Sequence, residues 1–244
     1  MGLSVFGSPL LTQRRMAMLN ALFDRYDRLV LFDTETTGLN FSRDEIIEFA
    51  AVVLERRDGQ VQVVQTYDEL ITLSPGGFVP AKIEQLTGIT NRDIRERGIP
   101  KTRVCCDIAR MFAGNTLLLA YNAHFDLSFL FYMLLRDGDP AILKGKDKLD
   151  LLTVYKDRRS YPHKLCNAIE AYGLAGKVVN SHRAVDDVLA TVEVMKAMEA
   201  EKDDLCRYIN LFGYHPTYGV DGKKIGSVTY KPQYYDPRQP LYEL

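Results

Sequence analysis

Four carboxylates lie in or beside apolar runs in three well-separated segments of this chain. Asp33 and Glu35 stand in LVLFDTETTGL, Asp126 in LLLAYNAHFDLSFL, and Asp187 in SHRAVDD, where His182 precedes it by five residues. A carboxylate in apolar surroundings is costly unless something positive meets it. A fold that brings all four to one point must bring a counter-charge with them. A pair of divalent cations is the usual resolution, and phosphoryl transfer is the chemistry such a pair serves.

The elements that carry these acids are readable from patterning. LVLFDTE (29–35) is a short apolar run ending in acids, a buried strand followed by a turn at Thr37-Gly38. The segments 46–56 and 60–72 flank Asp58-Gly59, a strong hairpin signal. Residues 101–113 read as helix, 116–123 as a fourth strand, and 124–138 as a helix stopped at Gly138. Short helices near 150–157 and 164–172 precede a long one from about 183 to 202. A three-strand antiparallel meander followed by alternating strands and helices argues for one α/β domain, a mixed sheet with helices on both faces.

On a strand, residues i and i+2 share a face, so Asp33 and Glu35 project together and Thr34 projects away. Asp126 falls near a helix start, where the helix dipole favours its charge. For the last acid, helical periodicity does not separate Asp186 from Asp187. Oxygen-only ligands favour magnesium or manganese over zinc. An imidazole such as that of His182 can accept a proton from an attacking water near neutral pH.

Net charge is −1 over 244 residues, so overall charge does not single out nucleic acid as a partner. Between Lys144 and Lys164, however, seven Lys or Arg face three acids, either a phosphate-steering stripe or a solvated surface. No apolar run approaches the ~18 residues of a membrane span. Arg14 and Arg15 interrupt the N-terminal apolar stretches, which argues against a signal peptide. Cys105, Cys106, Cys166 and Cys206 show no CxxC spacing and read as reduced, mostly buried thiols of a cytoplasmic protein.

The set FDTETTGL, NAHFD and HRAVDD, with LTGIT (86–90), resembles the motifs of the DEDDh (DnaQ-like) 3′→5′ exonucleases, the family of the proofreading epsilon subunit of bacterial DNA polymerase III. The likeness runs from about Leu29 to Met198. The family pattern His-x-Ala-x-x-Asp selects Asp187 over Asp186, and arginine at 183 excludes the sister subgroup that carries tyrosine there. The resemblance implies a ribonuclease H-like fold with strands ordered 3-2-1-4-5. It also implies two divalent cations, Mg2+ or Mn2+, held by Asp33, Glu35, Asp126 and Asp187, with Asp126 acting largely through water. His182 would be the general base. Asn122 would shape the site, and the backbone around Thr36, Thr37 and Gly38 would meet the terminal nucleotide. The implied activity is release of nucleoside 5′-monophosphates from single-stranded 3′ ends, DNA favoured over RNA, with a DNA polymerase subunit as a further candidate partner. The alternatives are an exoribonuclease, and a replisome module acting mainly through its tail.

Three segments are expected. Residues 1–28 form a helical extension, with apolar spacing from 10 to 26; residues 29–202 form the exonuclease domain; residues 203–244 form an ordered Tyr/Pro-rich appendage on the core or a partner. Seven of the 14 tyrosines lie in that tail, too many aromatics for a disordered segment. Val220-Asp221-Gly222-Lys223 offers a hairpin turn within it, and the terminal QPLYEL loosely resembles a clamp-binding peptide. His163 is expected to orient the basic stretch, while no motif position uses His124 or His215.

Overall fold

The computed structural model describes residues 19–222 and 225–244. Most of the expected N-terminal helix (10–26) lies outside these residues; α1 (Asn20–Phe23) is its described part. The central sheet contains β1 (Arg28–Thr36), β2 (Ile46–Arg57), β3 (Gln60–Leu70), β4 (Thr116–Ala120) and β5 (Asp147–Asp150), in the order β3-β2-β1-β4-β5. β1, β2 and β3 pair antiparallel, and β4 and β5 add parallel to β1. This is the expected ribonuclease H-like α/β arrangement. The β2–β3 turn has positive φ at both Asp58 (52°) and Gly59 (74°), the geometry that matches strand twist in a two-residue hairpin.

Between β3 and β4 lie α2 (Ala81–Thr87), α3 (Asn91–Arg97) and α4 (Lys101–Met111). α5 (Ala123–Asp137) follows β4. After β5 come α6 (Leu151–Arg158), α7 (Leu165–Ala171) and α8 (Ala184–Glu201). β1 is buried on both sides, and its alternation splits the core in two. Leu29 and Leu31 meet Val188, Val192 and Met195 of α8. Val30 and Phe32 meet Ile108 of α4 and Leu127 and Leu130 of α5. The central position of β1 between two helical layers brings acids from three segments to its end.

The C-terminal segment is ordered and lies on this core. β6 (Leu211–Tyr214) and β7 (Thr229–Pro232) form a two-stranded parallel sheet. The expected hairpin at Val220–Gly222 is therefore corrected: parallel strands need a crossover, and this turn is part of it. Lys223 lies outside the described residues. Phe212, Ile225 and Val228 enter the α5-side core, and Leu205 and Tyr208 the α8-side core. Leu241 is buried, and its N–H joins the Tyr208 hydroxyl in donating to Asp157 Oδ2, both at 2.8 Å. Tyr242 lies beneath the Arg207 guanidinium, 3.9 Å from the ring centroid, and donates to Asp204. Leu241 and Tyr242 of the QPLYEL peptide thus pack on their own chain, the core-side one of the two placements expected for the tail.

Two other expectations change. Of the four thiols only Cys105 is buried; Cys106 and Cys166 are exposed and Cys206 is half-buried, all four free. Cys105 and Cys106 differ because one step around a helix turns a side chain from the core to solvent. Nor are the seven cations of 144–164 solvated throughout. Lys148 is fully buried and donates to the main-chain oxygens of Leu143 and Lys146. Arg158 is engaged by Asp204 and Glu201, and Arg159 by Glu201. Among the described residues no helix is long and apolar enough to cross a membrane.

Candidate active site

The alternation that splits the core also distributes the site. Asp33 and Glu35 continue the Leu29–Leu31 row toward α8; Thr34 continues the Val30–Phe32 row toward α5. Asp187, in the first turn of α8, comes to the first row. Carboxylate oxygens of Asp33, Glu35 and Asp187 all lie within 4.8 Å of one another. Asp126, in the first turn of α5, comes to the second row, where Oδ1 accepts the Thr34 hydroxyl at 2.7 Å. The pairing of β1 with β2 slips by one residue after Glu35, so the strand ends at the cluster.

Asp187 and Asp186 are separated by geometry. Asp187 is buried and accepts from the Asn180 amide at 2.6 Å; Asp186 is turned to the Ser181 hydroxyl. His182, at positive φ (58°) just before α8, is exposed, and both its main chain and its ring favour the charged form of Asp187. Its ring makes no hydrogen bond among the described residues.

Burial and mutual repulsion dominate the electrostatics. Asp33 is held well above the usual carboxylate range by burial, then by the charges of Asp126, Glu35 and Asp187. Burial, then Asp187 and Glu48, pushes Glu35 up to about 8. Burial raises Asp126 to about 7 against the opposing hydrogen bond from Thr34. Asp187 is raised by burial despite Asn180. The nearby cation, Arg183, is tied to Glu48. An oxygen-only set of repelling acids fits a divalent metal: Asp33, Glu35 and Asp187 could hold one ion, and the donor chemistry suits magnesium or manganese.

Thr36, Thr37 and Gly38, expected from the resemblance to face the nucleotide, lie at the end of β1 and in the turn after it. Thr36 Oγ1 donates to the Gly38 main-chain oxygen at 2.6 Å, and the Thr37 hydroxyl accepts from the Glu45 N–H at 2.9 Å. A Cβ on Gly38 would lie 2.4 Å from the Asp44 carboxylate, so any side chain here would have to displace that carboxylate. Asn122 sits in left-handed conformation (φ 72°) at the start of α5. Its N–H and that of Ala123 donate to Asp150 Oδ1, each at 3.0 Å. Asp150 thus fixes the turn that aims Asp126. His163 Nε2 meets the Arg159 main-chain oxygen at 2.9 Å, a local structural contact.

Several of these residues escaped the sequence reading. Glu48 is fully buried, paired with Arg183, and accepts the Ala184 N–H at 2.8 Å, which anchors the start of α8. Its signal was legible: one acid inside IIEFAAVV, an otherwise apolar strand. Thr34 was seen only as the residue pointing away. Asn180 and Asp150 carry no motif signal.

A mixed sheet in this order, with an acid cluster at the end of its central strand, defines a nuclease-type α/β protein. Residues 30–195 match the family model described as RNase_T, exonuclease. Over 171 residues, 70% of this chain, it is 34% identical to a DNA polymerase III PolC-type of Clostridium perfringens, of which it spans 11%. It is 32% identical over 174 residues to the DNA polymerase III subunit epsilon of Treponema pallidum, covering 69% of this chain and 75% of that protein. Among solved structures it resembles E. coli exonuclease I in complex with a dT13 oligonucleotide, with TM-score 0.65 and 23% identity, over 75% of this chain and 43% of that one. That last likeness is one of fold. The chain belongs to the DEDDh (DnaQ-like) exonuclease family. It spans about a tenth of the length of its PolC-type relatives.

Proposed function

We propose that this protein is a metal-dependent 3′→5′ exonuclease that hydrolyses the terminal phosphodiester of a single strand, DNA in preference to RNA, and releases nucleoside 5′-monophosphates. Residues 29–202 form the catalytic unit and 203–244 its appendage. The observation that carries this reading is the meeting of Asp33, Glu35 and Asp187 within 4.8 Å, with His182 beside Asp187.

In this reading Asp33, Glu35 and Asp187 hold one magnesium or manganese ion, and Asp126 helps hold a second. Bound there, the ions would neutralise charge on the phosphoryl oxygens and acidify a bound water. His182, exposed at the mouth of the cluster, accepts the proton of the attacking water. Water oxygen bonds to phosphorus as the bond to the 3′-oxygen of the preceding nucleotide breaks. The main chain of Thr36, Thr37 and Gly38 orients the terminal nucleotide, and Asn122 shapes the wall beside Asp126. The kinship with a polymerase III epsilon subunit supports a polymerase as partner.

The test is a pair of matched 5′-labelled DNA and RNA oligonucleotides incubated with magnesium or manganese. Stepwise shortening from the 3′ end, faster on DNA and abolished by Asp33→Ala, is expected. Absence of shortening, or equal rates for wild type and Asp33→Ala, would sink the proposal.

A further inference from the structure

A cleft of about 150 Å³ lies between the start of α5, helix α6 and the C-terminal segment, and none of the four motif acids lines it. Asn122, which lines it, immediately precedes α5, four residues before Asp126. The C-terminal wall is pinned in place. His124 Nε2 meets the Asp221 main-chain oxygen at 2.5 Å, and Nδ1 meets the Tyr230 hydroxyl at 2.7 Å. A carbonyl only accepts, so Nε2 donates, and in the neutral imidazole Nδ1 accepts a hydrogen bond from the tyrosine hydroxyl. Gly222 packs against Phe41 of the loop after β1, where a Cβ would lie 2.5 Å from the ring.

The polar groups of the cleft divide into satisfied and unsatisfied. Asp150 accepts from the N–H groups of Asn122, Ala123, Leu152 and Thr153 and from the Thr153 hydroxyl, which offsets its charge. Asp221, at the rim, is exposed to solvent, where its charge is screened. By contrast, the Lys156 ammonium and the Asn122 side-chain amide make no hydrogen bond or ion pair among the described residues. His215 Nδ1 accepts the Thr217 N–H at 3.2 Å, which leaves Nε2–H as a donor. Next to this group Tyr218 is 84% exposed, its ring 4.9 Å from that of His215.

Three unspent donors, one of them a cation, beside an exposed aromatic face match what a single strand requires: charge for a phosphate and a ring for a base. Building on the exonuclease reading, we propose that this cleft is a second contact site for single-stranded nucleic acid. It takes a phosphate of the strand against Lys156, Asn122 and His215, and a base against Tyr218, upstream of the bond being cut. The C-terminal segment then serves the reaction by holding the strand behind its 3′ end.

Anisotropy of a labelled phosphorothioate oligothymidylate, titrated with the full chain in magnesium across a salt series, tests this. Lys156→Ala is expected to weaken binding about five- to tenfold and to flatten the slope of log affinity against log salt by about 0.7, one phosphate contact. Tyr218→Ala is expected to weaken binding about fivefold or more. Lys156→Arg should retain binding, and Lys144→Ala, the same charge change on an exposed residue outside the cleft, should leave it unchanged. Binding by Lys156→Ala within about twofold of wild type, or an equal loss in Lys144→Ala, overturns the proposal. Competition by dTMP in wild type that disappears in Lys156→Ala would assign the cleft to the released nucleotide and also overturns it. A wild-type protein that binds with these losses yet shortens no unmodified strand refutes the exonuclease reading alone. One that shortens strands with Lys156 irrelevant to binding refutes the cleft alone.

Discussion

Thr34 and Asp126, on β1 and α5, are joined by a 2.7 Å hydrogen bond on the face of β1 opposite that of Asp33 and Glu35. The bond joins the helix that carries one motif acid to the strand that carries two, and it lowers the cost of ionising a carboxyl that burial raises to about 7. Thr34→Val removes the donor and leaves the shape. It is expected to raise the magnesium concentration for half-maximal activity about tenfold, the equivalent of one hydrogen bond to a charged group. Thr34→Ser should stay near wild type. A metal titration of initial rate on all three proteins measures this.

Arg183 and Glu48 bind the last motif to the sheet. Breaking a buried pair from one side costs about 3–5 kcal/mol, and Arg183 is about a third exposed, so Arg183→Ala is expected to cost about 2–3 kcal/mol. Denaturant unfolding measures the loss.

Without metal, the site should weaken the protein as pH rises. The unfolded chain releases its carboxyl protons in the ordinary range, whereas the folded protein holds that of Glu35 to about 8. Stability of the metal-free protein is therefore expected to fall as pH rises from about 4.5 through 8. Cation binding requires the ionised acids and should release protons. The rise in Tm on adding manganese is thus expected to be larger toward pH 8 than near pH 5, read by scanning fluorimetry with and without chelator.

How far the sequence carried the fold and site depended on the kind of contact. β1, the Asp58-Gly59 hairpin, α5 and α8 were legible because patterning and turn chemistry act locally, and Asp33, Glu35, Asp126 and Asp187 were legible because they interrupt that patterning. β5 was not assigned to residues. It has four residues inside a basic run, and nothing local shows that Lys148 is buried against main-chain oxygens. The parallel pairing of β6 with β7 depends on their docking against α6, where Gly213 donates to the Thr153 hydroxyl and Gln233 to the Thr153 main chain. Thr34 and Asn180 act through partners 92 and 7 residues away, a relation visible only in the fold.

Glu199, away from the site, gives an independent check on buried charge. One of its carboxylate oxygens is buried without a partner, and burial, then Asp203, pushes its carboxyl up to about 7. Its ionisation costs stability as pH rises from about 4.5 to 7. Glu199→Gln is expected to be near neutral at about pH 4 and stabilising by about 2–3 kcal/mol at about pH 8. Urea melts at both pH values measure it.

The division of labour between acids and histidine is tested most directly by calorimetric titration of manganese into wild type, Asp187→Ala and His182→Ala, with turnover measured on the same preparations. His182→Ala is expected to keep manganese affinity within about threefold of wild type while turnover falls about 10²- to 10⁴-fold, and Asp187→Ala to lose both. Lost metal affinity in His182→Ala, or turnover there close to wild type, would contradict the account.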